Sequence, residues 1–263
     1  MAQREKYRKK QIASLLQQVE VAVASGKTTV QTSKETELET NVDTAFQRIR
    51  KLILHGQLAP GTWIMESDLC EHLNMSRTPV RNALSLLQRE GYLIRRVCVS
   101  RSHMIVTPLT NEDANELYSI MGRIEGLAGW QAAALPVSER NALVAKLKPV
   151  NDRLAQIAKE RNTDGPDTFD LDHEFHRLLV DAGTGPRLSA LHKMIEPQTE
   201  RYWRLYASSD HNLQVTVLEH KEILTALVAG DSERLESALK ANWENGCKRL
   251  LDIINIVGER GKW

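Results

Sequence analysis

Apolar residues at helical spacing recur from Asn111 to the end of the chain, and this pattern constrains the fold more than any other feature. Five breaks interrupt it, each marked by Gly, Pro, Ser or Asn. They fall at residues 135–138, 162–166, 183–186, 208–211 and at Gly230. The breaks separate six amphipathic segments, each of which needs a partner for its apolar stripe. The sequence therefore predicts an antiparallel bundle of six helices over residues 111–263.

The composition fits a mainly α-helical protein. Five Trp, five Tyr and three Phe among 263 residues leave the core to aliphatic side chains. No apolar run approaches the roughly 20 residues of a membrane helix, and polar residues interrupt the apolar stretch that a signal peptide would need after Arg4–Lys10. The three cysteines have no spacing typical of disulfide frameworks or thiolate metal sites. We expect a cytoplasmic protein without a membrane partner.

Residues 41–110 form a second unit, made of short elements. The sequence predicts a helix capped by Asp43, a second helix over Glu66–Leu73, and a third that the hydroxyl of Ser76 caps. Short strands at 92–94 and 104–106 then flank a basic segment. Three helices followed by a β-hairpin are the plan of a winged helix-turn-helix, whose third helix enters the major groove of DNA.

Residues 1–40 precede this unit. A basic segment with apolar residues at helical spacing comes first, and it is interpreted as a surface helix or an arm. The polar stretch that follows, SGKTTVQTSKETELET, has too few apolar residues to pack a core and is predicted to be a linker.

The start of the third helix presents groups suited to DNA. Arg77 and Arg81 suit the two acceptors on a guanine edge, while Ser76 and Thr78 suit phosphate oxygens. An ordinary amphipathic helix with a solvated basic face explains the residue types equally well. The order of residues favours DNA binding, because the run from Ile53 to Gly61, the acidic-Leu pair at 68–69 and the SRTPVR block resemble the amino-terminal domain of GntR-family bacterial transcription regulators.

That resemblance implies a double-stranded DNA operator as partner, contacted mainly by Ser76, Arg77, Thr78 and Arg81. The sequence departs from the family at Ser67, where many relatives carry an arginine, and at Ser102–His103, where the wing tip usually has a glycine. One or two basic residues of the wing are still expected to touch phosphate or the minor groove. The candidates are Arg95, Arg96, Arg101 and His103.

The predicted bundle carries four polar residues on faces that should be buried: Asp172, His176, His220 and Asn242. Burying them without partners would cost about 1–3 kcal/mol each, so we expect them to meet one another, a water or an ion. A hydrogen-bonded core imidazole explains any single histidine. As a set, an Asp and a His four residues apart with a second His suit a divalent metal.

Residues 111–257 resemble the FCD ligand-binding domain of the FadR-type branch of GntR regulators, and six helices point to its VanR-like subgroup. In metal-binding members an Asp and three His ligate zinc, nickel or manganese. Asp172, His176 and His220 match three of these ligands, and Asn242 stands where the fourth His is usual.

The same resemblance implies a small carboxylate as effector. The family often has an arginine four residues before Glu125, where this chain has Met121, and Arg123 lies on a different helix face. The expected lining of the effector cavity comprises Tyr118, Arg123, Arg201, Trp203 and Tyr206.

Two other functions fit the sequence less well. A hydrolytic zinc enzyme is disfavoured because HEFH at 173–176 lacks the spacer of an HExxH site and no general base is evident. An adaptor that uses the helix-turn-helix only for interaction is disfavoured by the intact SRTPVR block. We therefore expect a homodimeric, ligand-responsive regulator, more a repressor than an activator, that binds a palindromic operator.

The net charge of +1 is compatible with DNA binding because it is an average. Residues 41–110 hold nine Lys and Arg against five Asp and Glu, whereas residues 111–263 hold 19 against 24. A basic unit suited to DNA is thus joined to an acidic one.

Overall fold

The computed structural model describes residues 29–98, 101–160, 167–206 and 210–261, with the side chains of 29–39 and of some residues beside the gaps left out. Nine helices and two strands lie in these ranges. In chain order they are α1 (Thr29–Leu54), α2 (Glu66–Leu73), α3 (Arg77–Arg89), β1 (Leu93–Cys98), β2 (Arg101–Val106), α4 (Asn111–Ala133), α5 (Val137–Glu160), α6 (Asp167–Gly183), α7 (Pro186–Tyr206), α8 (Asp210–Ala229) and α9 (Ser232–Val257). The mainly helical fold with a β-hairpin after the third helix is confirmed, as are six helices after residue 111. No helix in these ranges is long and apolar enough to cross a membrane.

Helix α1 begins earlier than predicted. It starts at Thr29, so residues 29–40 are helical instead of forming a linker, and Asp43 lies inside the helix and does not cap it. The Glu, Lys and Gln residues of this stretch are good helix formers, which lets the helix extend beyond the part that packs. The packed part carries Ala45, Ile49 and Ile53, which are buried. The basic segment predicted near the amino terminus lies outside the described residues.

Helices α1, α2 and α3 enclose a small core with Tyr92 and Val106. Helix α2 has the predicted bounds. Its turn to α3 places Asn74 in the left-handed region, with φ of 53°, which asparagine tolerates better than most residues. Ser76 precedes α3 as predicted, but its hydroxyl makes no capping hydrogen bond.

The hairpin is longer than predicted. Strands β1 and β2 pair in antiparallel register from Leu93 opposite Val106 to Cys98 opposite Arg101. Residues 99–100 therefore connect the strands, and Ser102 and His103 lie within β2 instead of at the wing tip. The backbone ladder continues through the basic segment because its side chains are accommodated on partly exposed faces of a two-stranded sheet.

The six-helix bundle is held by close contact between α4 and α9. A Cβ atom at Gly129 of α4 would lie 2.3 Å from a side-chain carbon of Leu239, so a larger residue would force that side chain to move. Helices α5, α6 and α8 complete the core, with Leu147, Phe175 and Leu227 fully buried. This packing fixes the inner faces of α4, α6, α8 and α9 around one cavity.

Helix α7 joins the bundle to the winged helix-turn-helix. Glu200 pairs with Arg50 of α1 and accepts a hydrogen bond from the Tyr92 hydroxyl at 3.3 Å. The neighbouring Arg201 is buried and donates to the carbonyl oxygen of Thr107 at 2.9 Å.

The end of α9 also reaches this joint. Leu109 and Arg260 form an isolated antiparallel bridge, with backbone hydrogen bonds of 2.9 and 3.0 Å. Glu259 accepts a hydrogen bond from the backbone N–H of Asn111 at 2.8 Å. The segment that follows β2 is therefore held by contacts with α7 and with residues 259–260.

Candidate functional site

Three predicted ligand residues meet inside the bundle. Helix α6 supplies Asp172 and His176 one turn apart, and α8 supplies His220; one ligand atom from each lies within 4.8 Å of the others. The ring of Phe175 stacks on His220, with centroids 3.9 Å apart and planes 4° from parallel, which fixes the plane of the imidazole. Helical spacing and apolar packing together thus preorganise the group.

The group has unused hydrogen-bonding capacity. Oδ1 of Asp172 and both ring nitrogens of His220 are buried without a hydrogen-bond partner among the described residues. Oδ1 of Asp172 lies 3.4 Å from Nε2 of His220. Two ligands of a tetrahedral zinc ion with bonds of about 2.0–2.1 Å stand roughly 3.3 Å apart, so these atoms are already at the spacing that a metal requires. The residues present fit a divalent ion.

A buried carboxylate, that of Glu125, orients the ring of His176 on α6. Glu125 of α4 is fully buried and accepts hydrogen bonds from Nδ1 of His176 at 2.5 Å and from Nε2 of His192, on α7, at 3.1 Å. Because Nδ1 of His176 is engaged, its Nε2 is the atom left to face a metal. A carboxylate behind a ligating histidine is the usual arrangement that fixes the tautomer and orientation of the ring.

Burial and charge set the protonation of this cluster. Burial lowers the pKa of His220 well below its usual value, so its ring is neutral and a lone pair is available. Burial also acts to lower the pKa of His176, but the adjacent Glu125 outweighs it and raises that pKa to about 9. Burial raises the pKa of Asp172. A divalent cation bound here would take the place of the proton that His176 otherwise holds.

Sequence reasoning did not single out Glu125 or His192 as site residues. Each carries a signal that could have found it, since a Glu and a His interrupt the apolar faces of α4 and α7. The contacts of Glu125 with His176 and His192, however, join α4 to residues that lie 51 and 67 positions further along the chain.

The predicted fourth ligand has another partner. Asn242 of α9 lines the cavity above the group, and its amide nitrogen donates to Glu219 at 3.0 Å. Glu219 also pairs with both terminal nitrogens of Arg249, at 2.8 and 3.0 Å. Arg249 lines the same cavity, and its contacts with Glu219 balance the positive charge of its guanidinium.

A cavity of about 930 Å³, its open mouth included, lies against the Asp172, His176 and His220 group. Of the predicted lining residues, Tyr118 and Trp203 line it. Arg123 is exposed and donates to the Ser119 hydroxyl, and Arg201 lies at the joint, so neither lines this cavity. The side chain of Tyr206 lies outside the described part of the chain.

The start of α3 is open to solvent, with Ser76, Arg77, Thr78 and Arg81 all exposed. Glu66 of α2 holds the guanidinium of Arg81 through two hydrogen bonds, of 3.0 and 2.9 Å. This pairing holds the guanidinium against α2 and engages its Nε and one terminal nitrogen.

The wing places its basic residues along two strands. Arg95 is exposed, and Arg96 is half-buried opposite His103 in the ladder. The ring of His103 stacks on Trp63, with centroids 4.4 Å apart. The side chain of Arg101 is outside the described part.

Comparison with known proteins identifies the family. Residues 41–100 match the model of bacterial regulatory proteins of the gntR family, and residues 116–245 match that of the FCD domain. An HTH-type transcriptional regulator from the ttuE–ttuC′ intergenic region of Agrobacterium vitis is 32% identical over 139 residues, 53% of this chain and 78% of that protein. The chain belongs to the GntR family.

Other HTH-type regulators match over more of the chain. The regulator YdhC of Bacillus subtilis is 26% identical over 82% of this chain and 92% of its own length. The repressor RspR of Escherichia coli is 25% identical over 74% and 82%, respectively. The solved structure of E. coli McbR/YncC has the same fold, with a TM-score of 0.62, 20% identity, and coverage of 81% of this chain and 97% of that one. This GntR-family protein is a transcription regulator and not an enzyme.

Proposed function

We propose that this GntR-family regulator binds a palindromic operator as a homodimer, and that a small carboxylate bound over a divalent metal in the bundle modulates that binding. We place its action in the cytoplasm, where bacterial operators lie. The observation that carries the proposal is the buried group of Asp172, His176 and His220, which has unpartnered polar atoms and two members, Asp172 and His176, that line an open cavity.

The metal would be zinc, nickel or manganese. Two imidazoles and one carboxylate suit these borderline and hard divalent ions. Three protein ligands leave at least one coordination position open, as in zinc sites that bind a water or a substrate. When bound, the ion supplies a positive charge to which an effector oxygen can coordinate. The hydrogen bond of Asn242 to Glu219 supports three protein ligands instead of four.

A carboxylate effector would depend on the metal for its counter-charge, because the lining of the cavity carries several acidic groups. Glu125, Asp172 and Glu196 line it, and the guanidinium of Arg249 is paired with Glu219. An anion entering this acidic cavity needs an additional cation, and the metal at the ligand group supplies it.

DNA recognition would rest on the exposed start of α3. Arg77 and Arg81 suit guanine edges in the major groove, and Ser76, Thr78 and the helix N-terminus suit phosphates. The wing residues Arg95, Arg96, Arg101 and His103 would add backbone or minor-groove contacts. Two copies of α3 reach successive major grooves when they stand about 34 Å apart, which requires a dimer.

An exposed apolar face supports a dimer with a second copy of the chain. On α4, Leu127 and Trp130 are 47% and 41% exposed, and on α7, Leu191 and Met194 are 48% and 50% exposed. Helices α4 and α7 pack against each other, so these residues belong to neighbouring surfaces. Large side chains left in water on adjacent helices are typical of a subunit interface.

Helix α7 is suited to couple the cavity to the DNA-binding unit. Glu196 and Trp203 line the cavity, whereas Glu200 and Arg201 contact the winged helix-turn-helix. An effector that binds better to one position of α7 would shift the spacing of the two α3 helices and release the operator. Under this scheme the protein acts as a repressor, as the name of its relative RspR states for that protein.

A gel-shift titration with the DNA upstream of the regulator's own gene tests this function. At fixed salt, Arg77→Ala should weaken binding by about fivefold or more, because it removes a base-edge contact worth about 1–3 kcal/mol. Arg153→Ala, an exposed arginine on α5, is the matched control and should bind as the unmodified protein does. Equal affinity of the Arg77→Ala variant and the unmodified protein would refute the assignment of α3 as the DNA-reading helix.

A further inference from the structure

We propose that the effector is a flat aromatic monocarboxylate, and that the indole N–H of Trp243 donates to its carboxylate while aromatic side chains enclose its ring. This inference rests on the metal-supported effector site proposed above and specifies the ligand of that site.

The cavity is lined by aromatic rings out of proportion to the composition of the chain. Tyr118, Phe169, Trp203 and Trp243 all line it, although the chain has only five Trp, five Tyr and three Phe. Tyr118 of α4 meets Trp243 of α9 edge-on, with centroids 5.2 Å apart and planes at 73°. Phe169 of α6 meets Trp203 of α7 in the same way, at 5.1 Å and 62°. Aromatic pairs of this kind present both ring faces and ring edges, to which another flat ring packs favourably.

Trp243 also provides an unused hydrogen-bond donor next to the metal group. Its Nε1 atom is shielded from solvent and has no hydrogen-bond partner among the described residues. Its ring centroid lies 5.5 Å from that of His176. A buried indole N–H usually has a partner, since leaving it unpaired costs free energy. A carboxylate with one oxygen on the metal would have its second oxygen available for this donor.

The remaining charges limit the effector to a single carboxylate. Within the described lining, Arg249 is the guanidinium, and both of its terminal nitrogens contact Glu219. Glu125, Asp172 and Glu196 add negative charge. A second or third carboxylate on the effector would therefore lack a cation and would face like charges at short range. An uncharged aromatic or aliphatic body fits the rest of the lining better.

Isothermal titration calorimetry on the zinc-loaded full-length chain tests this inference with defined probes. Benzoate should bind at least fivefold more tightly than cyclohexanecarboxylate, which has the same size without an aromatic face, and more tightly than citrate. Benzamide, which lacks the charge, should bind more weakly than benzoate. Equal or tighter binding of cyclohexanecarboxylate or citrate would overturn the aromatic monocarboxylate assignment.

The variant Trp243→Phe separates the donor from the ring. It should weaken benzoate binding about tenfold or more, because hydrogen bonds to charged groups contribute about 1.5–3 kcal/mol. Trp63→Phe, in the DNA-binding unit, is the matched control and should leave the affinity unchanged. Unchanged benzoate affinity in Trp243→Phe, or no binding of benzoate to the unmodified chain, overturns the inference. If either outcome occurs and the unmodified chain still holds zinc, the metal site proposed above stands. If the unmodified chain does not hold zinc, the metal site and the aromatic effector both fail.

Discussion

Replacing Glu125 by Gln tests the buried charge cluster that supports the ligand group. The two oxygens of Glu125 accept one hydrogen bond each from His176 and His192. Glutamine keeps the shape but has one accepting oxygen, so one imidazole loses its acceptor. The variant also removes the negative charge that holds the proton on His176.

The expected loss of stability follows from the pKa of His176. Glu125 raises this pKa from about 6.5 in an unfolded chain to about 9, a difference that corresponds to about 3 kcal/mol. Because the folded-state pKa of the histidine is raised, this stabilisation is fully present below about pH 6.5 and is lost as the pH rises through about 9. In metal-free protein, Glu125→Gln should therefore lower the melting temperature by about 6–12 °C at pH 6.5. The difference from the unmodified protein should shrink by pH 9.5.

Thermal melts followed by circular dichroism, with a chelator present at both pH values, provide the measurement. Glu116→Gln is the control, since Glu116 lies on the same helix and is exposed. A Glu125→Gln variant that melts with the unmodified protein at pH 6.5, or a difference that does not shrink at pH 9.5, would show that Glu125 does not hold a charged His176.

Three further predictions concern the joint, the packing and the DNA contact. Glu200→Gln removes the carboxylate that joins α7 to the DNA-binding unit, so amide hydrogen exchange in β1 should become about tenfold faster while that in α5 stays unchanged; equal rates in β1 would exclude this role. Gly183→Ala would place a Cβ atom 2.2 Å from a backbone oxygen of α4 and should lower the free energy of unfolding by at least 1–3 kcal/mol in urea titrations. In the control Gly185→Ala, no atom lies within 4 Å of the added Cβ, so the free energy of unfolding should not change. Equal stability of the two variants would contradict the close packing of Gly183 against α4. Arg81→Ala should weaken operator binding in fluorescence anisotropy by about 1–3 kcal/mol, and undiminished affinity would remove Arg81 from the interface.

Much of the fold could be predicted because local signals agree with the tertiary structure. The six helices after residue 111 each carry an apolar stripe and end at a Gly, Pro, Ser or Asn cluster. Predictions failed where local signals were ambiguous. The polar start of α1 has good helix formers but no apolar stripe, and the wing strands continue through charged residues whose partners are set by the ladder.

The site could be predicted only where its residues share a helix. The spacing of Asp172 and His176 shows that they lie one turn apart, and the apolar stripe of α8 shows that His220 points inward. Contacts between helices leave no such pattern, which is why the pairing of Glu125 with His192 was not foreseen. The prediction that Arg201 lines the cavity failed for a related reason. Each residue of a helix is rotated by about 100° from the one before it, so positions 201 and 203 point to nearly opposite sides. Trp203 therefore faces the cavity while Arg201 faces the DNA-binding unit.

The metal content of the untagged protein tests the account's central claim most directly. Elemental analysis should find about one zinc, nickel or manganese ion per chain, and Asp172→Asn should lose it while Asp170→Asn, an exposed position on the same helix, should retain it. Each of these ions, added to metal-free protein, should raise the melting temperature. An unmodified protein that contains no divalent metal and whose melting temperature does not respond to any of the three would contradict the account.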